Sequence, residues 1–185
     1  MAELLTPLPA AALARYAGAM TSPIRPTNDE ARQLARKLIH SARHGALGVL
    51  DPATATPLVS RIGLVPGPDG LPLALVSDLA HHTVALQANP ACSILLGEPG
   101  GKGDPLTWPR LSLQGTAQFI RHGDPDHGAL AIHYLTHSPK AKLYIGFADF
   151  SLLRIRVLSA HLNGGFGKAF VLIPADLTVV HSLST

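Results

Sequence analysis

The order of apolar and polar positions divides the chain into one opening helix followed by a train of short strands. Ala31, Leu34, Ala35, Leu38, Ile39 and Ala42 recur at three- and four-residue intervals, the mark of one helix face. Thr27 and Glu30 stand at capping-box spacing at its start, and Gly45 reads as its stop. β-prone runs follow at residues 46–50, 58–65, 71–76 and 91–96, punctuated by Asp51-Pro52, Pro66-Gly67-Pro68-Asp69-Gly70 and Asn89-Pro90. Between the last two runs, residues 78–88 predict a short helix. A Gly/Pro-rich loop over 97–109 leads to a long strand over 110–120.

Asp124-Pro125 opens a further helix that runs to about Thr136, and a short helical segment continues past Ser138-Pro139 to Tyr144. In residues 151–158, Leu153, Ile155 and Val157 alternate with Arg154 and Arg156, as in a half-buried strand, and residues 169–173 form the last strand. Six or seven strands with hairpin turns and few helices predict an α+β fold, predominantly antiparallel β: a small Greek-key barrel with peripheral helices. Residues 1–26 read as an N-terminal extension and 27–185 as a single domain.

Composition narrows the functional classes. Of 185 residues, 46% are hydrophobic and 15% charged, well below the usual quarter, so subunit contact is expected to cover part of the surface. The net charge of +3 is scattered rather than clustered, which argues against nucleic acid and suits a phosphate-bearing small ligand. The single cysteine, Cys92, lies in an apolar run and excludes an internal disulfide, so a buried, inert thiol and a cytoplasmic location are expected. No apolar stretch is long enough to span a membrane.

Several familiar sites fail on spacing. In residues 97–103, GEPGGKG, Lys102 is followed by Gly103 instead of the hydroxyl that a phosphate-binding P-loop needs. A Rossmann glycine turn is missing, as is Gly-x-Ser-x-Gly. His133 and His137 share a helix face, but spacing indicates no third metal ligand, and ordinary surface histidines are the better reading. The informative segment is VSDLAHHT, residues 76–83, where a strand runs into a helix start. Ser77, His81, His82 and Thr83 there offer donors beside free backbone N–H groups, which favours an anion; a plain N-cap by Ser77 or Asp78 is the competing reading.

Taken with PLVSR at 57–61, PRLSLQG at 109–115, HYLTHSP at 133–139, GFADF at 146–150 and GGFG at 164–167, that segment resembles a known group. The pattern is similar to the pyridoxamine 5′-phosphate oxidase-like FMN-binding split β-barrels, and among them to the branch associated with haem utilisation. The resemblance implies an FMN-dependent oxidoreductase acting on a small molecule, as a homodimer with each flavin shared between subunits. It implies an FMN phosphate near Ser77, His82 and Thr83, and a flavin beside Val59, Ser60 and Arg61. It further implies contact from Arg110 of the dimer-related chain and from the Gly164, Gly165, Phe166, Gly167 loop. Ser138 stands where relatives acting on vitamin B6 phosphate carry an Arg, which argues against that substrate. Two other readings remain: haem binding or degradation, with His133, His137 or His181 as ligand, and a non-catalytic flavin-binding module.

Overall fold

A computed structural model describes residues 24–178. After a two-residue strand, β1 (Ile24–Arg25), comes helix α1 (Asp29–Ser41). Next are β2 (His44–Leu50), β3 (Pro57–Pro66), β4 (Pro72–Ser77), helix α2 (His81–Ala88) and β5 (Ala91–Leu96). β6 (Arg110–Ile120), helix α3 (His127–His137), β7 (Phe150–Asn163), β8 (Ala169–Leu172) and the one-turn α4 (Pro174–Leu177) complete the order. The sheet runs β1-β8-β7-β4-β3-β2-β5-β6, and β6 pairs back onto β7. Six strands therefore close into an antiparallel barrel, the split-barrel architecture expected from the sequence. Among the described residues only β1 on β8 is parallel.

The closure has two open seams. The β3–β4 ladder joins only Leu64, Val65 and Pro66 to Ala74, Leu73 and Pro72, so residues 57–63 have no strand on that edge; α2 packs beside β2 and β3 there. Along β7, β4 pairs with Phe150–Arg154 and β8 with residues 160–163, which leaves 155–159 unpaired between them.

Two apolar clusters hold the barrel. The larger fills its interior with Leu47, Ile62, Ile94, Leu113, Leu153 and Leu162, closed by Ala35 and Ile39 of α1 and Leu177 of α4. In the second, Leu130 and Tyr134 of α3 lie against Val65, Leu73, Ile120 and Leu152 on the outside of the sheet. β4 is thus covered on both faces, which explains why residues 72–76 are apolar without alternation.

Three local expectations are corrected. Asn28, not Thr27, caps α1: its side chain accepts from the Ala31 amide, while the Thr27 hydroxyl donates to the Val171 carbonyl. Gly45 does not end the helix, which stops at Ser41. It is buried inside β2, where a Cβ would stand 2.8 Å from Ile94 Cγ2. The strand expected over 151–158 is the fourteen-residue β7, because it must serve β6 along its whole length and β4 and β8 in turn.

Candidate functional site

The strand-to-helix turn after β4 lacks the expected cap. α2 begins at His81 with Ala80 as N-cap, and no side chain bonds to its first turn. Ser77 is engaged elsewhere: its hydroxyl donates to Asp149 Oδ2 at 2.6 Å and accepts from the Leu79 amide. Asp78 takes Gln87 Nε2 and pairs with Arg121. The amides of Thr83 and Val84 reach back to the Ala80 carbonyl, while those of His81 and His82 find no acceptor among the described residues. Two backbone donors at a helix start, aligned with its positive dipole end, form an anion niche.

Side chains from β3 border that niche at the open seam. His82 Nδ1 lies 3.1 Å from Ser60 Oγ, and burial pushes the His82 imidazole below its ordinary value, so it is a neutral hydrogen-bonding group near neutral pH. Arg61 is exposed on the outer face of β3, and its side chain has no ion pair or hydrogen bond among the described residues. Thr83 is fully buried, and its hydroxyl has no partner among the described residues. The structure thus brings Ser60, His82 and Thr83 into one neighbourhood, with Ser77 committed to Asp149, whereas Arg61, next to Ser60 on β3, points to the opposite face of the strand with Val59.

Val59 is on the same outer face, 66% exposed. It borders an apolar depression of about 480 Å³ with Gly48, Leu50, Ser93, Gly115 and Leu158. Cys92 also lines it; burial pushes this thiol up to about 11, which keeps it protonated and unreactive. Around this depression the outer faces of β2 and β5 carry small residues, Ala46, Gly48 and Ser93, next to exposed Leu50 and Leu95.

The remaining residues of the expected site sit elsewhere in the chain. Arg110 opens β6 opposite Asn163, and its guanidinium donates to the Leu106 carbonyl at 2.9 Å. Three strand steps (β3, β2, β5, β6), about 14 Å at the usual spacing, separate its strand from that of Arg61. Gly164–Gly167 form the β7–β8 turn. Gly165 and Gly167 take positive φ, and Phe166 projects with 98% exposure. Gly165 packs near the Thr107 carbonyl, so this turn neighbours the loop before Arg110 and does not touch the Ser60–His82 pair.

Of the histidines considered for haem, His133 and His137 do not line the depression. His133 Nε2 lies 2.7 Å from the Pro66 carbonyl, and His137 stacks on His133 at 4.6 Å. His181 lies outside the described residues. Among the described residues no three His, Cys, Asp or Glu side chains gather as metal ligands, and no helix is long and apolar enough to cross a membrane. Sequence reasoning missed Asp149, the partner of Ser77. It lies in the quoted GFADF segment, but its role depends on β4 and β7 pairing across a long sequence separation.

Residues 31–163 match the family model for pyridoxamine 5′-phosphate oxidase, and the chain belongs to that family. It is 37% identical over 105 residues to the chloroplastic non-canonical heme oxygenase HOZ of Arabidopsis thaliana, covering 56% of this chain and 30% of that protein. A crystal structure of Atu2129 from Agrobacterium tumefaciens superposes with a TM-score of 0.71 at 36% identity, over 87% of this chain and 66% of that one. A heme binding protein from Mycobacterium smegmatis does so with a TM-score of 0.71 at 30% identity, over 83% of this chain and 61% of that one. The chain thus spans less than a third of the curated relative it matches.

Proposed function

We propose that this protein binds FMN, with the phosphate at the first turn of α2 and the ring system on the apolar depression beside Val59. The observation that carries this reading is the uncapped helix start, its free His81 and His82 amides facing a sheet seam. Arg61 supplies the compensating charge, and Ser60 and His82 supply neutral hydrogen bonds. Thr83, sealed at the third helical position, acts through the shape of the turn rather than by contact. Ser77, tied to Asp149, holds the strand end in place. Bound FMN would supply hydride or electron transfer; the chain would fix the ring and exclude water, as in an oxidoreductase acting on a small molecule. The small-residue outer face of β2 and β5 suits a second copy of the chain, so the flavin sites are shared across a homodimer.

The test is calorimetric titration with FMN and riboflavin. Arg61→Ala should weaken FMN at least tenfold, from about 1.5–3 kcal/mol for a charged contact, and His82→Ala roughly two- to tenfold, from about 0.5–1.5 kcal/mol for a neutral one. Riboflavin lacks the phosphate and should bind both variants as it binds the parent. Equal losses for both ligands would reject the phosphate assignment.

A second reading, haem binding at the same depression, is favoured by the heme-related names of two relatives. Added haemin giving a saturable Soret shift, with no FMN binding, would establish it in place of the first. A bound flavin with no turnover of reduced nicotinamides would leave the third reading, a non-catalytic flavin module.

A further inference from the structure

The second seam of the barrel, away from α2, has its own chemistry. Among the described residues no strand pairs with 155–159 of β7 on the edge between β4 and β8, and a cavity of about 550 Å³ opens along them. That volume is in the range of small-molecule sites. Arg154 and Arg156, two apart on a strand, point to the same side of the sheet. Gln118 of β6, which pairs with Arg154, also lines the cavity. Leu71 and Pro174 form apolar walls, and Leu158 marks the border with the depression beside Val59.

The donors here are incompletely used. Arg154 donates through one terminal nitrogen to Asp126 Oδ2 at 3.2 Å, while its Nε is buried with no acceptor. Arg156 is exposed, and its side chain has no hydrogen bond or ion pair among the described residues. One carboxylate faces them within the cavity, that of Asp69, and it already accepts the Leu71 amide in the tight turn 66–71. Unsatisfied guanidinium donors, a strand edge without a ladder and apolar walls together describe a receptor for a small organic oxyanion.

We propose that the β7 seam is a second ligand site, distinct from the α2 niche, that takes a carboxylate or phosphate ester with an apolar body. The oxyanion sits between Arg154 and Arg156, and the body lies on Leu71 and Pro174. Nothing in this assignment depends on what the α2 niche binds.

Titration with phenyl phosphate and with phenylacetate, using benzyl alcohol as the uncharged control, tests it by thermal shift and calorimetry. At least one anion should bind saturably at millimolar concentration or below while benzyl alcohol does not; which anion binds identifies the head group. Arg156→Gln removes an exposed side chain with no structural partner, so it should leave the melting temperature unchanged and weaken that anion at least fivefold. Arg61→Ala, in the other seam, should leave it intact. No saturable binding of either anion overturns the proposal, as does equal binding of the alcohol. A loss caused by Arg61→Ala and not by Arg156→Gln would move the anion to the α2 niche and overturn it equally.

Discussion

Thr83 carries a hydroxyl sealed from solvent with no hydrogen-bond partner among the described residues, an arrangement that normally costs about 1–3 kcal/mol. Thr83→Val keeps the branched shape and removes the unmet group, so thermal unfolding should occur at the same temperature or higher. A fall in melting temperature would show that the hydroxyl is bonded in solution. His82 is a titratable counterpart. Burial lowers its pKa in the fold, so below its ordinary value of about 6.5 the unfolded chain takes up protons that the folded chain does not. That contribution to stability is complete above the ordinary value and is lost as pH falls through the lowered one. Urea midpoints measured between pH 7 and 5 should therefore decline less steeply in His82→Gln than in the parent. An unchanged slope would place the imidazole in solvent. Cys92, pushed up to about 11, should alkylate at pH 8 roughly tenfold or more slower than an exposed thiol. Rapid labelling would mean that the depression opens more widely than the structure shows.

At the scale of elements, the strands are legible where turn residues bound an apolar or alternating run, β4 included although both its faces are buried, and obscure where such punctuation is lacking. Leu153, Ile155 and Val157 alternate cleanly against Arg154 and Arg156, and that stretch was read correctly as a strand. Its continuation to Asn163 was not, since Gly164 is the first clear punctuation and the segment before it, SAHLN, mixes polar and apolar residues. Gly45 gave a helix-stop signal because local sequence cannot tell a C-terminal glycine from one required by a facing strand. The site was legible in its α2 segment and not in its partners: Asp149 meets Ser77 only because β7 lies against β4. Gly115 provides a test at this scale. It sits at the register shift of β6 against β7, where a Cβ would run into the Arg156 carbonyl and stand 3.1 Å from Val157 Cα. Gly115→Ala should destabilise the barrel by about 2–4 kcal/mol in urea unfolding, since backbone on both sides must move. A change below about 0.5 kcal/mol would show that the bulge absorbs a methyl group freely.

At the scale of the whole molecule, the residues the sequence assigns to one flavin lie in two places. Ser60 and His82 meet at the α2 seam and Arg61 follows on the outer face of β3, whereas Arg110 and the Gly164–Gly167 turn belong to the start of β6 and the end of β7. Arg61 and Arg110 both border the outer face of the sheet, with the small residues of β2 and β5 between them. A two-fold copy packed on that face can bring Arg110 of one chain to the α2 seam of the other. Subunit mixing decides the matter. Arg110→Ala alone should leave folding intact and weaken FMN binding. The double variant Arg61→Ala, His82→Ala should also bind weakly, having lost its own phosphate anchor. A heterodimer of the two has one site with an intact anchor and an intact Arg110, and one site missing both. Parent-like FMN affinity should therefore return at half of the sites, although neither homodimer has an intact one. If Arg110 only opens a strand, with its guanidinium satisfied by the Leu106 carbonyl, Arg110→Ala binds FMN normally. If affinity is lost and verified subunit exchange never restores it, Arg110 serves its own chain and the shared site is rejected.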